Sequence, residues 1–220
     1  MTRRLFYPSC GRTDLIRAVE GFVDMIDEVH GADISGQITT QFHDRWHVRR
    51  KQSLPYSFPI EWQPNGPRGI RHWLAAPPPL RPTFQRNYSL DRKDDPKKLE
   101  FIWHQYDAVE ALRVIPSIAV FFARGDRSID GEGSSGIRWL DDLLLHRVLA
   151  RMDEGGLFVT DGLRMGDSAM QSPLWCAPWD TAPIGTTFSV FERRFECTTV
   201  FDDNRPATLV WKVHGPRRGV

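Results

Sequence analysis

A continuous apolar run near the middle of the chain constrains the fold most. Residues Ser117 to Phe122 read Ser-Ile-Ala-Val-Phe-Phe, without the alternation of a half-exposed strand. Such a run is typical of a strand buried on both faces, as in a parallel sheet. A glycine-rich loop, an amphipathic pattern from Trp139 to Leu149 and a second apolar strand from Leu157 to Thr160 follow. Residues Ile118 to Asp161 therefore predict one strand–helix–strand crossover of an α/β fold.

The N-terminal segment predicts a short strand over Arg4 to Tyr7, followed by a turn. Apolar residues at spacings of three and four then continue from Leu15 to Val29, which favours one helix. Gly21 leaves an alternative open, in which the helix stops there and Phe22 to Ile26 form a second strand with Asp27 at its end.

The C-terminal segment predicts an antiparallel hairpin. Two strand-like runs, Thr187 to Thr199 and Ala207 to Val213, flank a turn-rich segment from Phe201 to Pro206. The pattern as a whole predicts one α/β domain over residues 1–220, with a mainly parallel sheet that this hairpin closes.

A basic, proline-rich segment interrupts this pattern. Residues 43–98 contain twelve Lys or Arg against five Asp or Glu, and nine of the 16 prolines lie between Pro55 and Pro96. Proline fixes φ and donates no hydrogen bond, so we expect an insertion of loops and short edge strands. Its charge and aromatic residues suit a small anionic substrate or nucleic acid. A second interpretation is that the basic residues pair with the acidic remainder of the chain.

The composition points to an ordinary globular protein. The formal net charge is +1, and no run approaches the roughly 18 apolar residues that cross a bilayer, so we expect a cytoplasmic chain with no membrane partner. The three cysteines form no CxxC pair. His43 and His47 are four residues apart but lack a third ligand in the pattern, so no metal site is predicted.

Three polar segments follow predicted strands. Ligands of open α/β sheets bind where the carboxyl ends of neighbouring strands meet. Cys10 to Asp14, Arg124 to Asp126, and Asp161 are expected at that edge. The same residues also suit the polar turns that any such strand requires, and this alternative stays open.

The order of parts resembles the class I S-adenosylmethionine-dependent methyltransferase family, which has a Rossmann-like sheet. Three segments carry the resemblance: the first strand and turn from Leu5 to Gly11, the run from Gly155 to Asp161, and the end of the hairpin from Thr208 to Lys212. The resemblance implies that S-adenosylmethionine lies over the strand ends, against the loop after the first strand and an acid at the end of the second. The cofactor-binding residues that it predicts here are Ser9, Cys10, Gly11, Asp14 and Asp27.

The resemblance implies a divergent methyltransferase-like protein of unknown substrate. Asp126 or Asp161 would orient the substrate or accept its proton, together with Arg124 at the same strand ends, and residues 43–98 would choose the substrate. The alternative is a non-catalytic binding protein on a degenerate Rossmann-like scaffold, whose basic segment binds an anionic partner such as nucleic acid. The single glycine of the first loop, Gly11, supports this alternative.

Overall fold

A computed structural model describes residues 1–8, 15–32, 42–55, 84–105, 111–124, 142–161, 182–201 and 208–216. The chain divides into two compact units. Unit 1 comprises Met1–Phe58 and Pro82–Phe122, and unit 2 comprises Pro59–Arg81 and Ala123–Val220. The interpretation of residues 43–98 as an insertion within a single domain stays a prediction.

Unit 1 contains six strands and a short helix among its described residues. In chain order they are β1 (Arg4–Pro8), α1 (Leu15–Phe22), a 3-10 turn (Val23–Met25), β2 (Glu28–Ala32), β3 (Trp46–Pro55), β4 (Phe84–Arg92), β5 (Lys98–Gln105) and β6 (Ile118–Arg124). Their order in the sheet is β3-β4-β5-β2-β1-β6. The four strands β5, β2, β1 and β6 run parallel, and the antiparallel β3–β4 hairpin lies beside β5.

The apolar runs form the parallel core of unit 1. Leu5, Phe6 and Tyr7 of β1 are buried, as are Val120 and Phe121 of β6, with which β1 pairs. Burial on both faces explains the absence of alternation in these runs. The predicted strands over Arg4 to Tyr7 and Ser117 to Phe122 are therefore confirmed, with shifts of one or two residues at their ends.

The second strand differs from both alternatives drawn from the sequence. Helix α1 ends at Phe22, next to Gly21, and the chain passes through the 3-10 turn into extended backbone at Ile26. Strand β2 begins at Glu28, so Phe22 to Ile26 are not a strand and Val29 is not helical. Val29 is buried in the sheet rather than on the face of a helix. The spacing of apolar residues continued across this boundary and could not show it.

The basic segment contributes longer strands than expected. Strand β4 has nine residues and lies between β3 and β5, so it is internal to the sheet of unit 1. No proline interrupts Phe84–Arg92, whereas Pro55 ends β3. The proline-rich stretch over residues 56–83 lies outside the described residues.

The described residues of unit 2 form four strands that pair antiparallel with one another, and one helix. In chain order its described elements are α2 (Asp142–Arg151), β7 (Met152–Asp161), β8 (Thr187–Val190), β9 (Arg193–Phe201) and β10 (Thr208–His214). Strand β10 lies between β7 and β9, and β8 pairs with β9. The predicted helix before β7 and the predicted C-terminal hairpin are confirmed.

The run from Thr187 to Thr199 is two strands rather than one. Phe191 and Glu192 both adopt positive φ, 48° and 62°, and make a tight turn between β8 and β9. Two consecutive residues of positive φ give the twist that suits a two-residue hairpin loop. Asn-Gly usually marks such turns in a sequence, and Phe-Glu does not, which is why the turn was missed.

The described pairings are mixed rather than mainly parallel. Three are parallel, all within unit 1, and five are antiparallel. The expectation of a mainly parallel sheet was wrong for the described residues because the β3–β4 hairpin and β8 add antiparallel pairs. The α/β class, with parallel strands and a C-terminal antiparallel hairpin, is confirmed.

Buried Arg193 holds the elements of unit 2 together. The side chain is 3% exposed and donates to five main-chain carbonyl oxygens: those of Leu149, Met152, Asp153, His214 and Pro216, at 3.0 to 3.5 Å. The carbonyl of Leu149 belongs to the last turn of α2, where carbonyls lack a helical partner and the helix dipole is negative. One guanidinium therefore closes α2 and joins it to β7 and β10.

Replacement of Arg193 by methionine tests this arrangement. Arg193→Met keeps much of the apolar stem but leaves buried carbonyl oxygens without donors, so we expect unfolding to become easier by about 2 to 4 kcal/mol. Chemical denaturation measures the change. The neighbouring Arg194 is exposed, and Arg194→Met should shift the free energy of unfolding by less than about 0.5 kcal/mol. Equal effects of the two substitutions would contradict the assignment.

Candidate functional site

The parallel strands of unit 1 end together at one edge. Pro8 of β1 pairs with Ala32 of β2, and Ala32 pairs with His104 of β5. Strand β6 runs parallel to β1 on its other side. The chain thus goes from β1 to β2 on one side and later to β6 on the opposite side, so the strand order reverses at β1. In open α/β sheets ligands bind at such a reversal, outside the carboxyl ends of the strands.

Most of the predicted site residues lie in segments that the structure does not describe. Ser9, Cys10, Gly11, Asp14 and Asp126 fall outside the described residues. Arg124 is the last residue of β6 and Asp161 the last residue of β7, and both fall within unit 2. The predicted roles of these residues stay predictions.

Asp27 lies at the opposite edge from the one expected. It immediately precedes β2, and Arg3 binds it through the guanidinium at 3.0 Å and through the main-chain nitrogen at 3.0 Å. The hydrogen bond from the Arg3 side chain, together with its charge, lowers the pKa of Asp27 to about 2. An acid that contacts a ribose at the strand ends would follow β2, not precede it. The alternative with a strand at Phe22 to Ile26 put Asp27 after the second strand, whereas β2 begins only at Glu28; in the sequence, Asp33 is the residue that follows Ala32.

A chain of polar side chains crosses the buried strands of unit 1. Arg4 Nε lies 2.6 Å from Glu28 Oε1, the same oxygen lies 2.6 Å from His30 Nε2, and His30 Nδ1 lies 2.8 Å from His104 Nε2. The residues share one face because Arg4 pairs with Glu28 and Ala32 pairs with His104, and side chains alternate along each strand. We call these four residues the His30–His104 chain.

The His30–His104 chain is almost wholly shielded from water. His104 is 0% exposed and His30 3%, while the side chains of Arg4 and Glu28 are each 17% exposed. At the open end Arg4 also donates to the hydroxyl of Ser117 at 3.0 Å. Burying polar groups of this kind costs free energy unless each has a hydrogen-bond partner. In the His30–His104 chain each residue is the partner of the next.

Burial and charge set the protonation states of the residues in the His30–His104 chain. Burial lowers the pKa of His30, and the carboxylate of Glu28 restores only part of the shift. Burial lowers the pKa of His104 well below 6.5, and His30 adds to this effect. Burial alone would raise the pKa of Glu28, but His30 and Arg4 outweigh it and hold the pKa below its ordinary value. At neutral pH the chain therefore contains a carboxylate and two neutral imidazoles.

These protonation states give the hydrogen bonds a direction. The Glu28 carboxylate only accepts, so His30 Nε2 carries the hydrogen and Nδ1 carries the lone pair. His104 Nε2 must then donate to His30 Nδ1. The two rings are 10° from parallel with centroids 5.1 Å apart. Since two of their nitrogens approach to 2.8 Å, the rings meet edge to edge, as an N–H···N bond requires.

Sequence reasoning missed all four members. Glu28 and His30 alternate in Glu-Val-His, a period of two that places both on one face of a strand. This alternation could be recognised as a strand pattern only once the position of β2 was known. His104 is 74 residues from His30, and only the β2–β5 pairing brings them together.

The opposite face of the sheet carries a buried donor near the carboxyl edge. Trp103 of β5 packs against Gly31 of β2, where an added Cβ would lie 3.0 Å from its Cζ3 atom. Only glycine at this position lets the indole approach so closely. Among the described residues no acceptor lies within hydrogen-bonding distance of Trp103 Nε1, although the indole is buried. A buried N–H without an acceptor is uncommon in a native fold.

Several described basic residues of the 43–98 segment lie beside carboxylates of unit 1. Arg92 and Arg45 flank Glu20 of α1 at 2.9 and 3.7 Å, and Lys51 contacts Glu100. This arrangement agrees with the interpretation in which the segment pairs with acidic residues of the same chain. His43 and His47 are exposed, and no three potential metal-ligand side chains come together in the described part of the chain.

None of the helices in the described ranges is both long enough and apolar enough to cross a bilayer. No protein-family model matches the chain, and no match was found among curated proteins or among solved structures.

The two buried histidines predict a loss of stability in mild acid. Their folded pKa values lie below 6.5, so as the pH falls below 6.5 the unfolded chain takes up protons that the folded chain does not. We expect the free energy of unfolding to fall from about pH 6.5 downward, with Glu28 adding to the loss in stronger acid. Urea unfolding between about pH 7.5 and pH 5 measures this.

Substitutions identify the groups responsible. His104→Gln removes one titrating group, so its free energy of unfolding should depend less steeply on pH. His47→Gln, on the exposed side of β3, is the matched control. A wild-type free energy that stays constant over this range would contradict the neutral, buried pair.

Proposed function

We propose that the chain is a divergent S-adenosylmethionine-dependent methyltransferase-like protein that binds its cofactor at the carboxyl edge of unit 1. One observation carries the proposal: the parallel strands follow the order β5-β2-β1-β6 and reverse at β1. When the four parallel strands are numbered 1 to 4 in chain order, their order in the sheet is 3-2-1-4, which agrees with that of a Rossmann-like sheet. In unit 2, the terminal hairpin with β10 against β7 agrees with the resemblance seen in the sequence.

The connection from β2 to β5 differs from the usual crossover between parallel strands. A plain crossover helix usually joins parallel neighbours, but here the connection includes the β3–β4 hairpin. The basic segment is therefore part of the crossover beside the proposed cofactor edge. This supports the view that residues 43–98 select the substrate.

The residues at the carboxyl edge suit a nucleoside. Ring nitrogens and ribose oxygens accept hydrogen bonds, and the indole N–H of Trp103 is a buried donor without an acceptor in the described part of the chain. Beta strands β1 and β2 end in Pro8 and Ala32, which carry no bulky polar group. In the sequence Ser9, Cys10 and Gly11 follow β1, and small residues permit close approach of the main chain.

In the proposed site Asp33, rather than Asp27, contacts the ribose. The family resemblance assigns an acid at the end of the second strand to the ribose, and Asp33 directly follows Ala32 in the sequence. When bound, S-adenosylmethionine supplies the methyl group. The protein would align the two reactants and exclude water.

Thermal unfolding with S-adenosylhomocysteine tests the proposal. At about 100 times its dissociation constant the ligand should add roughly 2.7 kcal/mol and raise the midpoint by about 2 to 4 °C. Asp33→Asn should lose most of this shift. Asp27→Asn should keep it, although its own midpoint is lower for loss of the Arg3 ion pair, because Asp27 lies at the other edge.

NAD, ATP and GTP serve as comparison ligands. A shift with S-adenosylhomocysteine and S-adenosylmethionine alone would support the methyltransferase-like function. No shift with either would overturn the proposal and favour the non-catalytic binding protein.

A further inference from the structure

Strand β3 forms one edge of the sheet of unit 1. It pairs with β4 on one side, from Trp46 opposite Arg92 to Arg50 opposite Tyr88. No other strand within the described ranges pairs with its second side. The amide and carbonyl groups that point away from β4 can therefore pair with an added strand.

Exposed basic side chains follow this edge. Arg49 is 78% exposed and Lys51 49%, and His47 and Arg50 are also exposed. His47, Arg49 and Lys51 alternate along β3 and so lie on one face. The Lys51–Glu100 contact agrees with this, because Glu100 pairs with Ser89 and Ser89 pairs with Arg49.

The nearby carboxylates leave these cations accessible. Asp91 of β4 lies 3.7 Å from Arg49 Nε, and Glu100 is on β5, so both acids are on the inner side of β3. A guanidinium has five N–H donors, and one long contact uses at most a small part of them. Within the described residues, the surface at β3 combines a main-chain edge that no second strand pairs with and the alternating positive charges of Arg49 and Lys51.

We propose that β3 binds an acidic peptide segment of a partner protein, which adds a strand to the sheet along residues 46–51. Main-chain hydrogen bonds to the edge would give affinity, and acidic residues at every second position would face His47, Arg49 and Lys51. The register shift between Arg50 and Ser53 bends the strand and sets the end of the docking segment.

Charge and burial argue against two other occupants. A second copy of β3 would bring like charges opposite each other, which destabilises a strand pair. Single-stranded nucleic acid uses exposed aromatic rings for stacking. The aromatic side chains near β3 in the described residues, Trp46, Tyr88 and Phe101, are buried in the core instead.

A labelled peptide of about nine residues that alternates glutamate with valine tests the proposal by fluorescence anisotropy at low salt. We expect binding that weakens as salt rises. Replacing both Arg49 and Lys51 by glutamate should weaken binding by about tenfold or more. Arg113→Glu alters an exposed charge of unit 1 that is not on β3 and should leave binding unchanged. The doubly substituted protein should instead bind a matching lysine–valine peptide, which also shows that it is folded.

N-methylation of the peptide separates strand addition from plain charge attraction. Alternate residues of a strand direct their amides to opposite edges, so one peptide is methylated on all its glutamates and another on all its valines. We expect one of the two to lose binding and the other to keep it. Equal binding of both methylated peptides would refute strand addition, as would no binding of the parent peptide. If single-stranded DNA displaces the bound peptide at a much lower concentration than the unlabelled peptide does, the surface would be assigned to nucleic acid instead.

Discussion

The hydrogen bonds among Arg4, Glu28, His30 and His104 constrain how strands β1, β2 and β5 of unit 1 align. Each buried group depends on the next, because removing one member takes a hydrogen bond from its neighbour in a medium of low dielectric. The His30–His104 chain also fixes the register of β1, β2 and β5. A slip of β2 by one residue would turn Glu28 and His30 to the opposite face and separate them from Arg4 and His104. Parallel pairing of β1, β2 and β5 and satisfaction of these groups therefore require the same alignment.

That alignment determines which residues reach the carboxyl edge. With Glu28 opposite Arg4, strands β1 and β2 end level at Pro8 and Ala32, and His104 lies level with them on β5. The acid before β2, Asp27, is held at the amino edge by Arg3, and the acid that follows β2 in the sequence is Asp33. One buried network thus connects the register of the strands with the place proposed for a nucleoside.

The sequence predicted the apolar strands well and the polar network poorly, for physical reasons. Burial on both faces leaves a continuous apolar run, so β6 and the Leu157 to Thr160 part of β7 could be recognised in the sequence. Gly21 gave the only local sign of where α1 ends, since the apolar spacing ran on into β2. His104 could not be predicted as a partner of His30 because the pairing of β2 with β5 is not local. The turn at Phe191 and Glu192 was missed because neither residue favours positive φ.

Nitrogen-15 NMR of the histidine side chains tests the central claim most directly. The direction of the chain requires both His30 and His104 to be neutral at pH 7, each with its hydrogen on Nε2 and none on Nδ1. We expect this form in the signals assigned to His30 and His104, and the His104 signal should disappear from the spectrum of His104→Gln. A doubly protonated ring for either residue at that pH, or a hydrogen on Nδ1 of His30, would contradict the account.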